Sequence, residues 1–154
     1  MAHGRFVIVP DELVSPESMV NLIPAPLHLR KRMHVVKHEI TDGLSIIFQA
    51  TDEGDSLHEM EHLLSVSLST AGISLHAEII DDRLNIAVSD SDTLVFANSI
   101  HLDNIEEDDR TDVLYHILAV LDHLNLDTAK VPVTFSRDID SNLRHLLSRY
   151  LCIK

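Results

Sequence analysis

Tryptophan is missing from all 154 residues, and aromatic side chains together supply only 4% of them. A core built on aromatic stacking is therefore excluded, and the interior must come from Leu, Ile and Val within a hydrophobic share of 45%. Cysteine occurs once, as Cys152, which excludes an intrachain disulfide and suits a reducing compartment. Basic side chains are few: 12 Lys and Arg stand against 25 Asp and Glu, for a formal net charge of −13. Such a surface repels phosphate backbones and anionic headgroups, which sets nucleic-acid and membrane partners aside. Long apolar runs are lacking too. Phe6–Val9 is far shorter than the apolar stretch of a signal peptide, and Ile117–Leu121, the longest such run, is much too short to span a bilayer. A cytoplasmic globular protein is expected, with one compact domain or two small lobes.

Glycine is scarce where it would matter most. The chain has four, Gly4, Gly43, Gly54 and Gly72, and none beyond residue 72. No P-loop, no G-x-G-x-x-G and no G-x-S-x-G occurs, and Cys152 has no evident base, so nucleophilic catalysis has no support.

What is present is periodicity. Phe6–Val9 reads as a short buried strand, with Pro10-Asp11-Glu12 as the start of a helical turn. "MHVVKHEI", the turn "TDG" and "LSIIFQA" read as a hairpin. "DSLHEMEHLLSVSL" is helical in pattern, with Leu57, Met60, Leu63 and Leu64 as its buried stripe and Asp55 or Ser56 as its cap. "ISLHAEII" and "RLNIAV" alternate, while "TLVFANSI" is apolar on both faces, as expected of a covered strand. Short polar turns at Asp81-Asp82 and at residues 89–92 make these three an antiparallel meander. "EEDDRTDVLYHILAVLDHLNL" then gives a helix with Leu114, Ile117, Leu118 and Leu121 buried, its acidic start matching the helix dipole. "VPVTF" is a fourth strand, and "DIDSNLRHLLSRY" a last helix with a stripe of Leu143, Leu146, Leu147 and Tyr150. The order β-β-β-α-β-α, with a helical crossover to a parallel strand, is the layout of a ribonuclease H-like lobe.

One motif suggests chemistry. His58, Glu59 and His62 fit H-E-x-x-H, in which two imidazoles at i and i+4 hold Zn²⁺ and the Glu activates a bound water. Against this, Glu61 puts a charge inside the motif, no third ligand follows in "LLSVSL", and a strand begins by residue 73. An amphipathic helix with His58, Glu61 and His62 facing water accounts for the same residues. A two-metal nuclease would need clustered carboxylates, for which Glu78, Asp103 and Asp138 are the candidates. A solvent-facing strand Glu is the commoner explanation for Glu78, and the acidic surface argues against a nucleic-acid substrate, so the nuclease reading is set aside.

The wording of the chain is also familiar. "RFVIVPDELV", "EITDGLSIIFQA", "DDRLNIAVSDSDTLVFANSI", "DVLYHILAVLDHLNLD" and "VPVTFSRDIDSNLRHLLSRYL" resemble an uncharacterised Bacteroidetes family with an actin-like ATPase fold. The resemblance implies a partial first lobe over residues 1–71 and a ribonuclease H-like lobe over 72–154. It also implies that family members are longer, and that Arg137 stands where they often carry Gly. Actin-like ATPases grip phosphates with glycine-bearing turns, because only bare backbone approaches closely enough. The meander turns here have no glycine, so the fold is expected without its nucleotide chemistry. The expectation is a non-enzymatic scaffold or interaction protein with no cofactor, acting through a protein partner or as a homodimer. A zinc hydrolase built on His58, Glu59 and His62, and an ATPase completed by a partner chain, are the alternatives.

Overall fold

The computed structural model describes residues 5–13, 15, 35–41, 43–49, 57–103 and 110–154. They fall into two compact units, Met1–Ser65 and Val66–Lys154.

In the first unit, β1 (Phe6–Pro10), β2 (Val35–Thr41) and β3 (Leu44–Gln49) form an antiparallel sheet in the order β1-β3-β2. The central strand is the apolar run Ile46-Ile47-Phe48, each residue fully buried, as expected of a strand covered on both faces. Asp11, opening the 3₁₀ turn Asp11–Leu13, ties β1 to the β2–β3 hairpin. Its backbone N–H donates to the Gly43 carbonyl (2.9 Å), and its carboxylate accepts from the Ser45 hydroxyl. Gly43 has φ of 81°, the left-handed conformation that makes glycine the fitting residue in this turn.

Helix α1 spans Met60–Leu68, shorter than its sequence pattern predicts. Met60, Leu63 and Leu64 are buried as expected, but Leu57 lies outside the helix and is 50% exposed. The predicted caps, Asp55 and Ser56, lie outside the described residues, as does the acidic run before the second helix.

The second unit holds the predicted meander: β4 (Ile73–Ile80), β5 (Arg83–Asp90) and β6 (Thr93–His101) pair antiparallel in sequence. Helix α2 (Thr111–His123) crosses to β7 (Pro132–Phe135), which joins β4 in parallel, with Leu75 beside Val133. Helix α3 (Ser141–Ser148) leads to a two-residue strand, β8 (Cys152–Ile153), too short to leave a sequence signal. The sheet order is β6-β5-β4-β7-β8, with β4 at its centre. One face of that sheet is the core. Leu75, Ala77, Leu84, Ile86 and Val88 meet Val113, Leu114, Ile117 and Leu121 of α2, and Leu143 and Leu147 of α3. Asn125 stops α2 in a left-handed conformation (φ 56°). The N–H of Leu126 bonds the Leu121 carbonyl and that of Asn125 the Asp122 carbonyl, a Schellman ending that turns the chain back toward β7.

Two expectations are corrected in this unit. Tyr150 lies past the end of α3, is half exposed and packs under the Arg149 guanidinium rather than in the helix stripe. β6 is not a covered strand: it ends the sheet, with Val95 43% exposed and Thr93, Asn98 and His101 open to solvent. Its apolar composition reflects an edge position on a sheet with one apolar core face, not burial on both sides.

The turns that join the meander strands begin with left-handed residues other than glycine, Asp81 (φ 53°) and Ser91 (φ 55°). Such a conformation costs an L-residue on the order of 1 kcal/mol, less for Asp than for most. Asp81→Gly is expected to raise unfolding free energy by up to about 1 kcal/mol in urea titration. A loss of stability would show that the Asp81 side chain holds the turn.

Candidate functional site

The H-E-x-x-H residues do not form a helical pair of imidazoles. His58 precedes α1 and is 1% exposed, its ring packed between Phe6 (5.0 Å) and Phe48 (5.2 Å). His62, one turn into the helix, faces solvent, and Glu59 is buried. The expectation that His58 faces water is therefore corrected: Leu57 and His58 have exchanged places relative to the helical reading, because the helix starts only after them.

What His58 does is visible in its bonds. Its Nδ1 accepts from the Met60 N–H (3.1 Å), while its own backbone N–H donates to Glu61 Oε2 (2.6 Å). The Glu61 N–H closes the turn on the His58 carbonyl at 3.0 Å. This reciprocal arrangement is a capping box with histidine in the capping position. Since Nδ1 accepts, the Nδ1 lone pair is engaged with the backbone. Glu61 is also bound by His38 Nδ1, 3.1 Å from each carboxylate oxygen. The residue that looks out of place in a metallopeptidase motif is thus the centre of the local structure. Among the described residues no three His, Cys, Asp or Glu side chains gather as a metal-holding group.

A second polar constellation lies on the face of the second unit's sheet opposite the core. Register places Ser74 opposite Ser89, Glu78 opposite Asn85, and His76 between Ala87 and Thr134. Ser74, His76, Glu78, Asn85 and Ser89 are all at most 5% exposed. Glu78 is therefore not the solvent-facing strand residue expected. Its carboxylate is held by Arg137 Nε (2.7 Å to Oε1) and the Ser136 hydroxyl (3.2 Å to Oε2), both just beyond β7. The Ser136 N–H is itself anchored on the Ala77 carbonyl of β4 (3.0 Å), so the strand pairing places the cation. Asp103 and Asp138, the other carboxylates considered with Glu78, are exposed, and Asp103 lies 3.9 Å from His101.

Ser89 shares a 2.7 Å hydrogen bond with Ser67, but among the described residues Ser74 Oγ, both ring nitrogens of His76 and both amide atoms of Asn85 have no hydrogen-bond partner. Burial lowers the His76 pKa below the ordinary histidine value, since desolvation disfavours the imidazolium. Sequence reading passed over this face because strict alternation marks it as solvent-facing. The signal lay in its composition: the alternate positions of "SLHAE" and "NIAVS" offer Ser, His, Asn and Ala with a single Glu, rather than the repeated Lys and Glu that solvate a sheet.

A family described as "Protein of unknown function (DUF3822)" matches residues 34–152. The chain belongs to this family. No functionally curated protein matches it. Among solved structures it is similar to a Bacteroides thetaiotaomicron protein of unknown function with an actin-like ATPase fold. The TM-score is 0.63 at 17% identity, over 97% of this chain and 65% of that one. The DUF3822 chain thus shares the actin-like ATPase fold and spans just under two thirds of that protein's length.

Two outcomes follow from the site. Glu61→Ala is expected to cost about 1–2 kcal/mol by removing the cap, and His62→Ala to be near neutral, by chemical denaturation. The reverse ranking would contradict the capping box. For His76, the folded pKa lies below the unfolded one, so the unfolded chain binds the proton first as pH falls. Its contribution is intact above about pH 6.5 and declines below it, at up to about 1.4 kcal/mol per pH unit. Between pH 7.5 and 5.5 the wild type should lose more stability than His76→Gln. Equal losses would show that folding leaves the His76 pKa unshifted.

Proposed function

We propose that this DUF3822 protein is a non-enzymatic cytoplasmic scaffold that keeps the actin-like fold while its nucleotide position is silent, and acts through protein contacts. The observation that carries the reading is the Glu78–Arg137 pair. Among the described residues Glu78 is the one carboxylate on the buried polar face, and its oxygens are engaged by Arg137 and Ser136. A carboxylate so engaged is a poor ligand for a phosphate-bound divalent cation. The absence of glycine from the Asp81-Asp82 and Ser91-Asp92 turns supports the same reading, since a turn that carries side chains offers no bare backbone to a polyphosphate. The net charge of −13 disfavours nucleic acid and anionic membrane as partners, and among the described residues no helix is long and apolar enough to cross a membrane. The division into a partial first lobe, 1–71, and a ribonuclease H-like lobe, 72–154, belongs to this proposal. Among the described residues no side-chain arrangement favours the zinc reading.

The test is thermal unfolding with millimolar Mg²⁺ and ATP, alongside a phosphate-release assay. No rise in Tm and no hydrolysis are expected at any protein concentration. A nucleotide-dependent rise would contradict the proposal, and one confined to high protein concentration would favour an ATPase completed by a partner chain.

A further inference from the structure

The edge strand β6 points to a specific partner. It runs for nine residues, pairs only with β5 among the described residues, and contains no Lys, Arg, Asp, Glu or Pro. Exposed edges commonly carry such residues, because open N–H and C=O groups recruit other strands. Here, in a chain of net charge −13, the longest strand of the sheet presents an edge free of acidic side chains and of Lys and Arg.

The hydrogen bonds show which groups face outward. The Leu102 N–H is taken by the Asp82 carbonyl (2.6 Å), on the inner side. The Ser99 N–H is taken instead by the side chain of Asn98 (2.9 Å). Backbone bonding alternates along an antiparallel strand, so Ala97, Ser99 and His101 direct their N–H and C=O groups to the free edge. The register break opposite Val88 and Ser89 leaves Val95 unopposed, and the strand is regular from Phe96 onward.

We infer that β6 pairs antiparallel with β6 of a second copy, about a two-fold axis through Asn98. Ala97 and Ser99 of opposite chains then exchange both backbone hydrogen bonds, and Asn98 meets Asn98 in the closer, non-bonded pair. Phe96 falls opposite Ile100 on both sides of the axis. Both side chains pack against the core cluster within their own chain, so the pairing continues one apolar face across two molecules. An uncharged, self-complementary edge fits a second copy better than a strongly charged partner strand. The Asn98 side chain gives up Ser99 and is replaced by an interchain bond.

This inference rests on the reading of the chain as an interaction protein, but association and nucleotide binding are measured separately, so either can fail alone. Sedimentation velocity over a concentration series tests it with the full chain, Asn98→Lys, Asn98→Asp and their equimolar mixture. Asn98 is exposed, and circular dichroism should match the wild type in both variants. The wild type is expected to dimerise. Each variant alone should raise the dissociation constant by at least about tenfold, since like charges meet on the axis, and the mixture should restore association. A monomeric wild type at the highest attainable concentration overturns the inference. A dimer that neither variant weakens, or a mixture no tighter than its components, overturns it equally.

Discussion

Glu78 leaves the central strand of the second sheet as a nearly buried carboxylate, and a charge in that position persists only beside a partner. Arg137 supplies the partner from the residue pair that follows β7, and the parallel pairing of β4 with β7 sets the distance between them. The pair therefore connects topology to chemistry. The crossover through α2 brings β7 against β4, Ser136 is bonded to the Ala77 carbonyl, and the guanidinium arrives at the carboxylate. Without that cation the polar face would hold one unneutralised charge among Ser74, His76 and Asn85, none of which bears a positive charge at neutral pH.

A parallel economy operates in the first unit. Glu61 satisfies the first amide of the turn, draws His38 from the neighbouring strand and leaves the His58 ring to pack on Phe6 and Phe48. Helix α1 is short, and short helices gain little from propensity alone, so its cap and its three buried apolar side chains define it. An imidazole that caps a helix and fills an apolar slot is engaged twice over. That double use explains why a sequence with a metallopeptidase spacing yields a structural element.

Most of the fold was legible because its elements repeat at clean periods. The alternation in "ISLHAEII" and "RLNIAV", the Leu and Ile spacing of α2 and the polar two-residue turns each fix one element and its core face. Where reading failed, two residue patterns with the same spacing had different environments. "SLHEM" continues a helical stripe on paper, yet the chain enters the helix only at Met60, and Leu57 and His58 trade exposure. Ser74, His76 and Glu78 alternate like a wet face and are buried. β6 has the composition of a covered strand and is an edge, because strand order is a long-range property that a local window does not contain. The site followed the same division: Arg137 was noticed as a side chain in place of glycine, but its partner, 59 residues earlier, required the sheet to be assembled.

The central claim is that Glu78 is committed to Arg137 and not available to a divalent metal cation. A double-mutant cycle on Glu78→Gln and Arg137→Gln, followed by urea unfolding, measures that commitment directly. Because Arg137 is half exposed while Glu78 is not, a coupling energy of about 1–2 kcal/mol is expected. Effects that add to within about 0.3 kcal/mol would contradict the account, since the carboxylate would then stand free of the guanidinium in solution.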